Sequence, residues 1–298
     1  MRRLVHKLQQ DGMSLRILAR NTKAGSYPEL KGKFAEITAA YLDYVSKNGC
    51  AVSIQPLAMS AALKKRLIYH YDHPPKSHSF IGNIRDNDEA ATCPMCGSSS
   101  CGTLDHVLPK EHFPEFSLYS RNLVPACMCN LKRGSAFKGQ GNARVLHPYF
   151  DTILSERLVG CAFSDHGEAP ALRIVNLLAS THPMYGSVQF HIESIILKTM
   201  IKSTLRKDWG RLMRKPSTII RELRRTPGSQ SQLKDILESE LATLDDSHES
   251  LNNWSSIFVG GLLRPDTLRW LHEQMTRRGR GDDDPIIAQG NAAEVPSI

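Results

Sequence analysis

Four cysteines fall in two close pairs, Cys93/Cys96 and Cys127/Cys129; between the pairs lie an Asp105-His106 dipeptide and Asn122, and Asn130 directly follows the last cysteine. Thiolates are soft ligands suited to a tetrahedral structural Zn²⁺, and two such pairs can close one site when the chain between them folds as a hairpin. Asp105 and Asn130 offer hard oxygens. They are poor zinc ligands but fair ligands for a second, catalytic ion such as Mg²⁺ or Mn²⁺. His106, with an ordinary imidazole pKa of about 6.5, can take a proton from water around neutral pH. An ion beside a base is the equipment for hydrolysing a phosphodiester.

The stretch TCPMCGSSSCGTLDHVLPKEHFPEFSLYSRNLVPACMCNLKRG resembles the HNH nucleases, whose active site is a ββα-metal finger. LDHVLPK matches the first motif of that family, NLVPAC the second and CN..RG the third. The resemblance covers residues 90–151 when VLHPYFD is included. It implies that Asp105 and Asn130 are metal ligands, that His106 is the general base, and that Asn122 braces the loop between the two strands. Zinc would sit on Cys93, Cys96, Cys127 and Cys129. Two departures stand out. Only Met128 separates Cys127 from Cys129, so Cys101, or more remotely His112, is a substitute ligand; and Arg133 stands where the family usually has Lys. A zinc ribbon without catalysis shows the same cysteine spacing, so the alternative is a non-catalytic zinc-based nucleic-acid or protein-binding module. Such a module has no reason to carry Asp105, His106 and Asn130 together.

The elements that must position these groups follow from local pattern. Thr103 to Leu108 reads as a first strand, Leu123 to Ala126 as a second, and Asn130 onward as a helix whose N-terminal amides suit phosphate. Lys110, Lys132, Arg133 and Lys138 add positive charge for gripping a nucleic-acid backbone. Upstream, residues 1–29 read as a basic extended arm, and helices are expected from Leu30 to Lys47 and from Pro56 to Tyr71. His70, His73 and His78 lack a carboxylate to complete a metal set and read as a helix end. His147 reads as a loop anchor. Downstream, a hairpin is expected from strands 158–163 and 172–178, then one long helix from Val188 to Lys215. Lys198, Lys202 and Arg206 recur every four residues on that helix, and ten basic residues against three acidic ones lie between Glu193 and Arg225, a pattern that suits a nucleic-acid track. Helices over 231–245, 251–258 and 265–275 follow, with Trp254 and Trp270 as core anchors. From Arg277 the periodicity is lost and a disordered tail is expected.

Composition bounds the rest. The 298 residues, 41% of them hydrophobic, suffice for real cores, and a net charge of +8 favours a polyanionic partner. Seven cysteines, an odd number with four in metal spacing, point to free thiols in a reducing compartment rather than a disulfide framework. No apolar run has signal-peptide or membrane-spanning length, so a cytoplasmic protein is expected. No Gly-rich phosphate loop is present, so the chain is not expected to hydrolyse ATP itself. The reading is an α+β fold, a zinc-stabilised ββα-metal (HNH) finger at 91–151 embedded between a helical N-terminal region (1–90) and a mainly helical C-terminal region (152–276), with a tail at 277–298. The expected activity is metal-dependent endonucleolytic cleavage of double-stranded DNA, with RNA as the lesser alternative. Nucleases of this kind occur in bacterial defence loci beside an ATPase partner and also in mobile elements and phages; of these the resemblance is read first as anti-phage defence.

Overall fold

Between Glu29 and Ser46 apolar residues return every three or four positions, and the chain coils into a helix that buries Leu30, Ile37, Tyr41 and Tyr44. The computed structural model describes residues 1–85 and 92–287. Its elements, in chain order, are helices α1 (Asp11–Arg20), α2 (Glu29–Ser46), α3 (Ala61–Asp72) and α4 (Phe80–Arg85), strands β1 (Thr103–His106) and β2 (Leu123–Ala126), helix α5 (Cys129–Arg133), strands β3 (Val159–Ser164) and β4 (Ala171–Asn176), and helices α6 (Tyr185–Ser194), α7 (Ile201–Arg214), α8 (Gln230–Ser247), α9 (Trp254–Leu262) and α10 (Pro265–Met275). The strands form two separate antiparallel ribbons, β1–β2 and β3–β4. The fold is thus mixed α and β, with mostly helical segments before and after the first ribbon.

Two units divide the chain: Met1–Leu158 with Leu178–Thr199 and Glu249–Asn253, and Val159–Leu177 with Met200–His248 and Trp254–Ile298. The core of the first gathers Leu15 and Leu18 of α1, Leu30, Ile37 and Tyr44 of α2, and Leu63 and Leu67 of α3 around Phe113, Phe116 and Tyr119 from the β1–β2 connection. Each large apolar side chain buried there contributes about 1.5–3 kcal/mol. The helices therefore hold the connection, and the connection holds the ribbon. Helix α3 begins later than the expected Pro56, because Ser60 caps it by accepting from Leu63 N at 3.0 Å. After α2 the chain turns at Gly49, with φ +62°, where a Cβ would collide with the His147 ring.

In the second unit the β3–β4 ribbon packs its Phe163 ring 4.7 Å from Trp209 and 5.7 Å from Phe258. Trp209, fully buried, donates its Nε1–H to Gly167 O at 2.7 Å and so ties α7 to the hairpin turn. Half-buried Trp270 stacks on His166 and Trp209, in keeping with an anchoring role.

Three expectations are corrected. The N-terminal stretch is not wholly an extended arm, since Asp11–Arg20 forms α1 and buries Leu15 and Leu18. The single helix from Val188 to Lys215 is broken: α6 ends at Ser194, a 3₁₀ turn spans Ile196–Lys198, and Thr199 is extended with ψ −174°. Ile195 and Ile196 are adjacent and both buried, which the 3₁₀ turn accommodates, and Thr199 Oγ1 caps the turn on Ile196 O at 2.6 Å. Lys198 consequently belongs to the first unit, whereas Lys202 and Arg206 belong to the second, and no one helix carries all three. The expected disorder from Arg277 does not hold through 287. Ile286 is fully buried and donates its N–H to Met213 O at 2.8 Å, while Asp283 bonds Ser217. Residues 288–298 of that tail lie outside the described residues, as do 86–91, which precede the first cysteine pair. Among the described residues no helix is long and apolar enough to cross a membrane.

Candidate metal centre and adjoining cavity

The β1–β2 ribbon pairs Thr103 with Ala126 and His106 with Leu123. At its first end, chain entering β1 and chain leaving β2 bring Cys93, Cys96, Cys127 and Cys129 together, their ligand atoms all within 4.8 Å of one another. Cys93 and Cys129 sulfurs are 3.7 Å apart, Cys96 and Cys127 sulfurs 3.4 Å. Four soft donors so close could hold a metal ion such as zinc. The single-residue spacing of Cys127 and Cys129 does not prevent it. Cys101 stands outside the set and is half-buried, but its thiol is the foremost of the hydrogen-bond donors that hold Cys93 well below the ordinary cysteine range. His112 is exposed and packs on Phe137. Among the described residues His70, His73 and His78 form no metal set. His70 bonds Ser26 instead, His73 stacks on Tyr69, and His78 bonds Ser77.

At the other end of the ribbon Asp105, His106 and Asn130 line one open cavity of about 480 Å³, with Tyr71 and Lys110 at its wall. His106 is buried, and its Nε2 lies 3.0 Å from Ser117 O. A carbonyl oxygen only accepts, so Nε2 carries the proton and Nδ1 is the basic nitrogen. Burial pushes this imidazole down to about 3. It is therefore neutral in ordinary buffers. Asp105 is buried as well, and burial raises its carboxyl above the usual range against the opposing charge of Arg133. Its Oδ1 accepts from Arg133 Nη2 at 3.1 Å, while Oδ2 is buried without a hydrogen-bond partner among the described residues. Such an orphaned carboxylate oxygen is costly unless something positive meets it. Asn130 is half-buried, and its Oδ1 accepts from Leu131 N at 2.8 Å.

Asn122 shows how the two halves of the connection are locked. Its Oδ1 accepts from Leu108 N at 2.8 Å and from Tyr44 OH at 3.0 Å, and its Nδ2 donates to Leu108 O and Phe116 O. Behind it, His147 Nδ1 accepts from Tyr149 N, so Nε2–H donates to Tyr44 OH at 2.9 Å and the tyrosine proton is free to face Asn122. His147 is thus an interior anchor, pushed to about 3 by burial.

Arg133 is a correction. Sequence placed it among phosphate-gripping charges with Lys110, Lys132, Lys198, Lys202 and Arg206, yet it is buried and spends its guanidinium on Asp105, His106 O at 2.6 Å and Val107 O at 3.2 Å. It orders the β1 end instead. Lys110 pairs with Asp72 at 3.2 Å and lies over the Tyr71 ring, whereas Lys132, Lys198, Lys202 and Arg206 are exposed. Sequence reasoning missed His191, which accepts from Leu146 N and donates to Met95 O at 2.6 Å, bracing the loop of the first cysteine pair. No spacing signal links it to the cysteine pairs.

No family model and no solved structure matches the chain. The chain is similar to protein ea31 of Escherichia phage lambda, 42% identical over 88 residues. That similarity covers 24% of this chain and 30% of the phage protein.

Proposed function

We propose that the chain is a metal-dependent endonuclease of the HNH kind that hydrolyses phosphodiester bonds in DNA. The observation that carries this reading is the fixed tautomer of His106: Nε2–H is committed to Ser117 O, and a neutral Nδ1 remains as base on a cavity shared with Asp105 and Asn130. In this reading Nδ1 takes a proton from the attacking water, and Asn122 keeps the loop that carries Ser117 and Leu108 in register with β1. Asp105 and Asn130 would hold Mg²⁺ or Mn²⁺. The orphaned Asp105 Oδ2 fits that role, and the exposed Asn130–Leu131 bond is worth only about 0.5–1.5 kcal/mol to exchange. When bound, such an ion supplies charge neutralisation at the phosphate and at the departing oxygen. The four cysteines hold a structural Zn²⁺, and Lys110 and Lys132 grip the backbone beside the cavity.

The test is conversion of supercoiled plasmid to nicked circle by the zinc-loaded protein in Mg²⁺ or Mn²⁺. Asp105→Ala should lose activity and regain part of it as the ion concentration is raised. A folded, zinc-loaded wild type that leaves plasmid intact in both ions overturns the proposal in favour of a zinc-based binding module.

A further inference from the structure

After α7 the second unit passes through two 3₁₀ turns, Pro216–Thr218 and Arg221–Arg224. In a 3₁₀ helix residues i and i+3 eclipse, so Arg221 and Arg224 stand one above the other, and Arg225 follows directly. Ile220 and Leu223 are buried and pin the turn, which leaves the three guanidinium groups exposed. Among the described residues none of the three makes a salt bridge or a side-chain hydrogen bond. In the same unit Arg211 pairs with Asp208 and Arg269 with Asp266. The three arginines line an open cavity of about 580 Å³ with Thr226 and Gln232, and one carboxylate, Glu222, also borders it. Three like charges crowded without a direct ion pair repel; Asp282 and Asp283 offset part of that repulsion at Arg225 and Arg224, and a polyanion would relieve more of it.

Carboxylates already occupy main-chain donors on both flanks of this turn. Asp283 accepts from Ser217 N at 3.0 Å and from Ser217 Oγ at 2.6 Å, and lies 3.8 Å from Lys215 Nζ. Asp282 accepts from Thr226 N at 2.9 Å. The Ile286 contact with Met213 holds this acidic segment down. Backbone N–H groups that donate to carboxylate oxygens donate to phosphate oxygens by the same charge-assisted bond, and guanidinium forks match phosphate. The cavity offers little to a protein partner, whose interface would need apolar anchors. Its apolar lining is Pro227, itself buried, and Ile236.

We propose that Arg221, Arg224 and Arg225 form a binding site for the phosphodiester backbone of duplex DNA, and that Asp282 and Asp283 compete for it as a built-in phosphate mimic. The inference rests on the proposed function only in taking DNA as the partner, and it stands apart from whether the cavity of the first unit cuts.

The test is fluorescence anisotropy with a labelled DNA duplex across a salt series, every variant made in the His106→Ala background so that no cleavage intervenes. Arg221→Ala/Arg224→Ala/Arg225→Ala should weaken binding by about tenfold or more and reduce the salt slope by about 2 to 3, the counterions released by three phosphate contacts. Asp282→Asn/Asp283→Asn removes both charges; residue 282 keeps an acceptor for Thr226 N, and residue 283 keeps one for Ser217 N while its amide NH₂ can donate to the Ser217 hydroxyl. It should tighten binding at low salt, with the gain shrinking as salt screens the repulsion. An unchanged affinity and slope in the triple arginine variant overturns the site. Binding unchanged by the asparagines overturns the competition and leaves the acidic segment as a structural clasp.

Discussion

At the Thr103–Ala126 end of the β1–β2 ribbon, four thiols lie within 4.8 Å of one another. At the end where His106 faces Leu123, a carboxylate and an imidazole border open space, and one carboxylate oxygen has no partner among the described residues. The same eight ribbon residues support both. The difference lies in what each end leaves unsatisfied. Thiols gathered around one centre are complete once an ion fills it, which suits a staple. A buried, half-satisfied carboxylate beside a neutral base is an unfinished arrangement, which suits a site that takes something up and acts on it.

The sharpest way to break this comparison is Cys93→Ser. If the thiols hold a structural ion, its binding energy is folding energy, on the order of 10 kcal/mol for small zinc modules. The variant should lose zinc by elemental analysis and lose the cooperative melt of the first unit. A folded, zinc-free Cys93→Ser protein contradicts the staple. Asn122→Ala should cost less, about 2–4 kcal/mol, since it strands Leu108 N and the Tyr44 hydroxyl in the interior. Zinc content should stay at wild-type level, because the change sits at the cavity end. Arg133→Lys should cost about 1–2 kcal/mol in chemical denaturation, as an ammonium cannot span Asp105, His106 O and Val107 O together.

Acid offers a finer probe. Burial pushes His106 and His147 to about 3, and His78 and His191 to about 4. The unfolded chain binds more protons than the folded one between those values and the ordinary 6.5. Their stabilisation is therefore fully present above about pH 6.5 and is lost as pH falls, by about 1 kcal/mol per pH unit for each histidine once well below that value. Glu115, raised to about 7 by burial, acts with the opposite sign: its contribution falls as pH rises from 4.5 to 7. Melting temperature should thus drop from pH 7 to pH 5, and Glu115→Gln should make that drop steeper. A melting temperature that rises toward pH 5 contradicts the neutral interior histidines.

Much of this was legible in the chain. Cysteine spacing announced the thiol cluster, and the motif residues at 104–110 and 122–127 announced two strands, because both signals are local. What escaped depends on distant partners. Arg133 read as a surface charge, and only the fold brings Asp105 and two carbonyls around it. The break after Ser194 was hidden because Ile195 and Ile196 suit a helix as well as they suit a turn in a core. The segment 277–287 looked formless because its one apolar anchor, Ile286, is held by Met213 far back in the sequence.

The central claim is that His106 Nδ1 is the base of a phosphodiester hydrolase, and the most direct measurement is the single-turnover cleavage rate of a labelled DNA duplex by His106→Ala beside wild type, both zinc-loaded and in saturating Mg²⁺. The account predicts a fall of about 10²–10⁴-fold with DNA affinity and zinc content unchanged. It further predicts that the wild-type rate does not drop between pH 8 and pH 6 on account of His106, whose protonation lies near 3. Cleavage by His106→Ala at the wild-type rate would contradict it.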